Sequence, residues 1–249
     1  MADRNKHRNS NLQEDRTKRQ ERAERILDAA AALILRWGYR KTSVDDIARY
    51  AGVAKGTIYL HWRTREELFQ ALVIREYLMM MEELRQHLVN DPENATLHGV
   101  IKQLLLIAMT RPLIKAMMLG DTDMLGEFAR REYADPTSVT WQRIEMGKTF
   151  FELFRSNGLL RTDMSYQEQI YVLSAAFFGC LVSDQLLPDE LKLSPEKVAE
   201  TLAEMIRRTF EPAEAVSPEK LQEMHATFLQ IFDRLIDLVK ERSQKEMKS

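Results

Sequence analysis

Residues 42–69, TSVDDIARYAGVAKGTIYLHWRTREELF, gather a lysine, two glycines, hydroxyls and aromatics at spacings suited to gripping a nucleic acid. Ile58 and Trp62, four apart, claim the inner face of one predicted helix, so the polar remainder of that helix points outward. Lys55 at its amino end can reach guanine or a phosphate, and Gly56 lets the backbone approach. Thr57 and Leu60 suit base edges or a thymine methyl, while Tyr59 and His61 read as phosphate contacts.

The elements that must hold these side chains are also legible. Ser43-x-x-Asp46 reads as a capping box opening a short helix over 43–51, which ends at Gly52, where the chain reverses with φ expected to be positive. Ile47, Ala51, Val53 and Ile58 supply contacts between two helices, and Ala48 is small where their backbones cross. Thr64-x-x-Glu67 reads as another capping box, which confines the preceding helix to 55–62, although Ala54 cannot cap its start. The pattern is a helix-turn-helix. One such helix reads only a few base pairs, so useful specificity requires a second copy and predicts a homodimer on a pseudo-palindromic site.

With the preceding RILDAAAALILRWGYRKTSV, residues 22–69 resemble the N-terminal domain of TetR-family transcriptional regulators. The resemblance rests on the alanine-rich helix ending in Trp37-Gly38-Tyr39, then Thr42-Ser43-Val44, Ile47-Ala48, Ala51-Gly52-Val53, Lys55-Gly56-Thr57-Ile58-Tyr59 and Glu66-Glu67-Leu68. Ala54 replaces the family's usual serine, Trp62 its phenylalanine and Arg65 its common lysine. The resemblance implies an all-α fold: a three-helix DNA-binding domain over 17–64, then a larger helical ligand-binding and dimerisation domain over 65–249. It also implies that Thr42, Ser43 and Arg65 grip the DNA backbone.

Composition agrees with a DNA-binding head on a different body. Residues 1–66 carry a net +6 and residues 67–249 a net −8, although the whole chain is only −2. The single Cys180 excludes an intrachain disulfide, and the five histidines lack metal-ligand spacing, so neither a metal nor a cofactor is expected. The first 25 residues contain no apolar signal-like run, and Ile170–Val182 is too short to span a bilayer, so the sequence predicts a cytoplasmic protein without membrane contact. Gly52–Thr57 lacks the spacing and the Gly-Lys-Ser/Thr ending of a phosphate loop, and no nucleophile–base pair stands out, so no enzyme is expected.

Residues 1–16 are polar and basic and read as a disordered arm. Helical spacing then predicts helices near 17–37, 43–51, 55–62, 65–90, 94–110, 112–132 in pieces, 136–157, 165–187, 194–210 and 217–247. Ser194-Pro-Glu-Lys197 and Ser217-Pro-Glu-Lys220 each place a capping serine before proline at a helix start.

Ala175, Gly179 and Ser183 recur every four residues and form a smooth stripe, suited to a dimer interface or to tight packing within one subunit. Trp141, Phe151 and Phe154, with Phe177 and Phe178, read either as plain core or as the wall of a pocket that Met109, Met117 and Met118 make adaptable. Glu145 and Lys148 flank this ground and either orient a ligand or face water. An extra C-terminal helix over 217–247 has a strong apolar stripe, Leu221, Met224, Phe228, Ile231, Leu235 and Leu238, which must pack on the ligand domain or widen a dimer interface. The leading functional expectation is a homodimeric repressor, released from its operator by a small apolar or aromatic effector that shifts the helix near 65–90. An architectural, nucleoid-type DNA-binding protein of the same fold, without an effector, is the alternative.

Overall fold

The computed structural model describes residues 2–136, 138–214 and 216–246, and among them every regular element is helical. The first helix, α1 (Ala2–Trp37), is continuous from Ala2, where the sequence pattern suggested a disordered arm through residue 16. No proline or glycine interrupts this stretch, and i,i+4 pairs such as Glu14–Lys18 (2.7 Å) and Gln20–Glu24 (2.8 Å) support the helix. Gly38 ends α1 with φ +78°, and a Cβ there would stand 3.2 Å from the carbonyl oxygen of Asp123. The next residue hydrogen-bonds the same stretch of chain, Tyr39 N–H to Met124 O at 2.7 Å.

The helix-turn-helix follows. In α2 (Val44–Ala51) the Ser43 hydroxyl accepts from Asp46 N–H (3.1 Å) and the Asp46 carboxylate accepts from Ser43 N–H (3.3 Å), so the capping box is complete. Gly52, at φ +66°, closes α2, and Val53 N–H bonds back to Ala48 O at 2.9 Å. The recognition helix α3 (Lys55–Tyr59) is shorter than the predicted 55–62. After Tyr59 the chain tightens, with the N–H groups of His61 and Trp62 both on Ile58 O at 2.9 Å, and Trp62 is thereby turned into the core. Thr64 caps α4 (Arg65–Asn90) by accepting from Glu67 N–H, but Glu67 reaches Arg63 N–H (2.7 Å) instead of Thr64, so the second predicted box is only half formed.

A 3₁₀ turn over Pro92–Ala95 leads to α5 (Leu97–Thr110), followed by three short helices, α6 (Pro112–Leu119), α7 (Thr122–Leu125) and α8 (Glu127–Ala134). Four long ones complete the chain: α9 (Val139–Ser156), α10 (Tyr166–Leu186), α11 (Pro195–Phe210) and α12 (Pro218–Glu246). Ser194 and Ser217 accept from the N–H of Lys197 and Lys220 (3.3 Å each), so both Ser-Pro-Glu-Lys segments start helices.

Two cores form. The first joins Ile26, Ala30 and Leu33 of α1, Ile47, Ile58 and Trp62, the first half of α4 through Val73, and Leu113, Leu125 and Phe128 from α6–α8. Thus the N-terminal body does not end at residue 64, as sequence alone suggested; it is closed by α4 and by α6–α8. The second core takes the other half of α4, from Tyr77 to Leu88, with α5, Ile114 and Met118 of α6, and α9–α12. The helices α4 and α6 are therefore both built into the two cores.

The C-terminal helix α12 lays Met224, Phe228, Phe232 and Ile236 against α4 and α9. Phe228 packs on Phe150 (5.1 Å between ring centroids) and Phe154 (4.9 Å), His225 Nε2 meets Leu88 O at 2.7 Å, and Arg85 pairs with Asp233 at 2.5 Å. Of the two sequence-based options for this helix, the structure displays packing along its own chain; residue 247 lies outside the described residues.

Candidate nucleic-acid interface

The outward face of α3 is open. Lys55, Gly56 and Tyr59 are exposed, Leu60 is 74% exposed, and nothing lies within 4 Å of the place a Cβ would take on Gly56. Ile58 is 1% exposed on the opposite side, which anchors the helix to α2 through apolar burial. Thr57 is half-buried between the two faces. Lys55 Nζ rests on the Asp45 carboxylate at 2.7 Å, a hydrogen bond that holds its pKa above the ordinary lysine value. Both partners are about half exposed, so the pair is weak enough to yield to a phosphate. His61 is half-buried, and its pKa is held below the usual histidine value, first by burial and then by the charges of Arg19 and Arg22.

Three residues assigned to the DNA backbone from the resemblance have their polar side chains engaged within the protein. Thr42 is 1% exposed, and its hydroxyl donates to Gly38 O (2.9 Å), which ties the turn after α1. The Ser43 hydroxyl is occupied by the Asp46 backbone and carboxylate as the cap of α2. Arg65 points inward: its guanidinium donates to the Tyr39 carbonyl and lies 4.0 Å from the Tyr39 ring centroid and 5.2 Å from that of Phe69. What local pattern could not reveal is that Tyr39, 26 residues away, supplies a cation site. Conversely, Arg19 and Arg22, from the basic run TKRQER on α1, stand beside the end of α3. Their signal was the charge run itself.

Residues 26–72 match the family described as bacterial regulatory proteins, tetR family. The N-terminal domain is a TetR-family domain. Over 61 residues the chain is 39% identical to the fatty acid metabolism regulator protein of Bacillus subtilis, covering 23% of this chain and 31% of that protein. Over 75 residues it is 37% identical to the HTH-type transcriptional regulator TtgR of Pseudomonas putida, covering 30% and 33%. The chain thus spans about a third of the length of the curated relatives it matches. Among solved structures it resembles NalD, described as the secondary repressor of the MexAB-OprM multidrug efflux pump in Pseudomonas aeruginosa, at 26% identity and TM-score 0.54 over 78% of this chain and 98% of that one.

Beneath the TetR domain, Met117 and Met118 are the predicted pocket residues that line a void among the described residues. Phe151, Phe154, Phe177 and Met118 are buried in the second core, with Met109 and Met117 packed at its edge. Trp141 is half-buried, Phe178 is 36% exposed, and Glu145 and Lys148 pair with each other at the surface (2.6 Å). Room exists instead at the α4–α6–α8–α9 junction, in two voids of ≈ 10 Å³ each, about one water molecule apiece. Tyr77, Met80, Ile114, Met118 and Arg143 line one, Val73, Leu125, Phe128 and Glu132 the other, and Met117 and Thr140 stand in the wall of both.

Far along the chain from the TetR-family domain, α10 presents an apolar face. Ala175 is exposed, Gly179 has open space above it, and the Ser183 hydroxyl donates to Gly179 O at 2.7 Å. Tyr171 (76% exposed), Val172, Phe178 and Leu186 border them. The helix runs well beyond the 170–182 apolar stretch, and by length and composition it is apolar enough to cross a membrane. Its opposite side, however, holds Leu173, Phe177, Leu181 and the hydrogen-bonded, fully buried Gln169 in the protein core.

Proposed function

We propose that this TetR-family protein is a cytoplasmic transcriptional regulator, acting as a repressor, that binds a pseudo-palindromic duplex operator as a homodimer. The observation that carries the reading is the open face of α3, where Lys55, Gly56, Tyr59 and Leu60 project while Ile58 locks the helix to its support. Thr57, Leu60 and Gly56 belong against base edges, and Lys55, Tyr59 and His61 against guanine or phosphate. A second copy meets the first across α10, where Ala175, Gly179 and Ser183 permit close helix approach and the bordering apolar side chains leave water.

The effector site belongs at the α4–α6–α8–α9 junction. Met117 lines both small voids, and rotation of this flexible thioether would join them into one chamber, mostly apolar but edged by Thr140, Glu132 and Arg143. A ligand that wedges there pushes on Tyr77 and Met80 of α4, a helix shared by both cores, and changes the spacing of the paired α3 helices. A 100-fold loss of operator affinity corresponds to about 2.7 kcal/mol of coupling.

Fluorescence anisotropy against duplex from the protein's own upstream region, with scrambled duplex alongside, tests the reading. Tight binding to the upstream duplex, weakened by Lys55→Ala and Tyr59→Phe, is expected. Equal, steeply salt-dependent binding to both duplexes would favour an architectural DNA-binding protein instead.

A further inference from the structure

A cleft of ≈ 500 Å³ opens between α1 and the end of α3, lined by Lys18, Arg19, Arg22, Leu60 and His61. It is far roomier than the interior voids, and its lining is cationic. Arg19 makes one hydrogen bond, to Leu60 O at 3.3 Å, which holds the guanidinium at the mouth without neutralising it. Among the described residues neither Arg19 nor Arg22 has a carboxylate partner, whereas Lys18 leans on Glu14. Like charges brought together repel, so an arrangement of this kind is relieved by an anion. Leu60 belongs both to the cleft and to the exposed face of α3, so whatever lies along that face continues directly into it.

We infer that this cleft is a phosphate clamp, in which Arg19 and Arg22, seconded by Lys18, hold a backbone phosphate of the duplex next to the bases that α3 touches. The inference rests on the DNA-binding reading above and adds a contact made by α1, outside the helix-turn-helix. Arg19 supplies a planar fork for two phosphate oxygens, and Arg22, one turn further along α1, approaches from the same side. Such a contact sets register and affinity without reading sequence, because each phosphate neutralised releases a counterion.

The test is a salt series of anisotropy titrations on the full chain with its operator duplex, comparing wild type, R19A/R22A and R19K/R22K, with thermal melts to confirm that all three fold. For R19A/R22A the slope of log K against log [salt] should fall by about one to two units, at roughly 0.9 per lost phosphate contact. Affinity should drop by tenfold or more at low salt, R19K/R22K should keep most of the slope, and the preference for operator over scrambled duplex should stay. An unchanged slope in R19A/R22A, or an equal loss in R19K/R22K, would overturn the clamp while leaving α3 as the reader. A parallel titration with inorganic phosphate separates the other source: millimolar-tight binding at the cleft combined with an unchanged DNA slope would make it a free-anion site and overturn the proposal. A wild type that ignores duplex altogether would take down both readings.

Discussion

Arg65 directs its guanidinium into the protein, over the rings of Tyr39 and Phe69 and onto the Tyr39 carbonyl, so it fastens the start of α4 to the turn after α1. Removing a charge-assisted hydrogen bond and a cation–π contact at a half-buried site costs about 2–3 kcal/mol. Arg65→Ala should therefore lower the unfolding free energy measured in urea by that amount, and an unchanged urea midpoint would return Arg65 to the DNA backbone. His61 offers a second reading at this scale. Burial first, then Arg19 and Arg22, depress its pKa, so the fold favours the neutral ring. The contribution to stability is present at neutral pH and is lost as pH falls through the unfolded value of about 6.5 towards the lower folded value. Replacing both arginines by alanine should raise the His61 pKa yet leave it below the ordinary value, since burial remains; an NMR titration of the ring decides this.

Each element shows what a sequence can and cannot disclose. The Ser43–Asp46 box, the left-handed Gly52, the Ser194 and Ser217 starts and the amphipathic stripe of α12 are local or periodic features, and all were legible from residue types alone. The length of α3, the second role of Glu67 and the interior places of Thr42 and Arg65 depend on partners supplied by tertiary packing, which no local pattern encodes. The aromatic and methionine residues were recognised as apolar ground, but whether such ground closes into core or opens into a pocket is decided by how helices meet, and Phe151, Phe154 and Phe177 went to core. For α12, the stacked Phe228 is the critical contact. Phe228→Ala should cost about 3–5 kcal/mol and lower the melting temperature of the whole chain in a single transition; a loss confined to fraying of the last helix would contradict its place in the second core.

At the scale of the whole molecule, the two cores share α4, and Arg75 on that helix binds α1 through Asp28 (2.7 Å) and Glu24 (3.5 Å). In the proposed mechanism, a displacement in the lower body would reach the N-terminal one through α4. The exposed apolar face of α10 is where the proposed second copy would dock. Gly179→Arg places a charge where a Cβ meets nothing in the monomer, so the chain should fold normally but sediment as a monomer and lose operator binding; a dimer that persists would move the interface elsewhere.

The central claim, that paired α3 helices read a two-fold operator, is tested most directly by hydroxyl-radical footprinting of the upstream duplex with the purified protein. The account predicts two protected patches, related by symmetry and separated by one helical turn or more, both lost with Lys55→Ala. Uniform protection along the duplex, or none at any protein concentration, would contradict it.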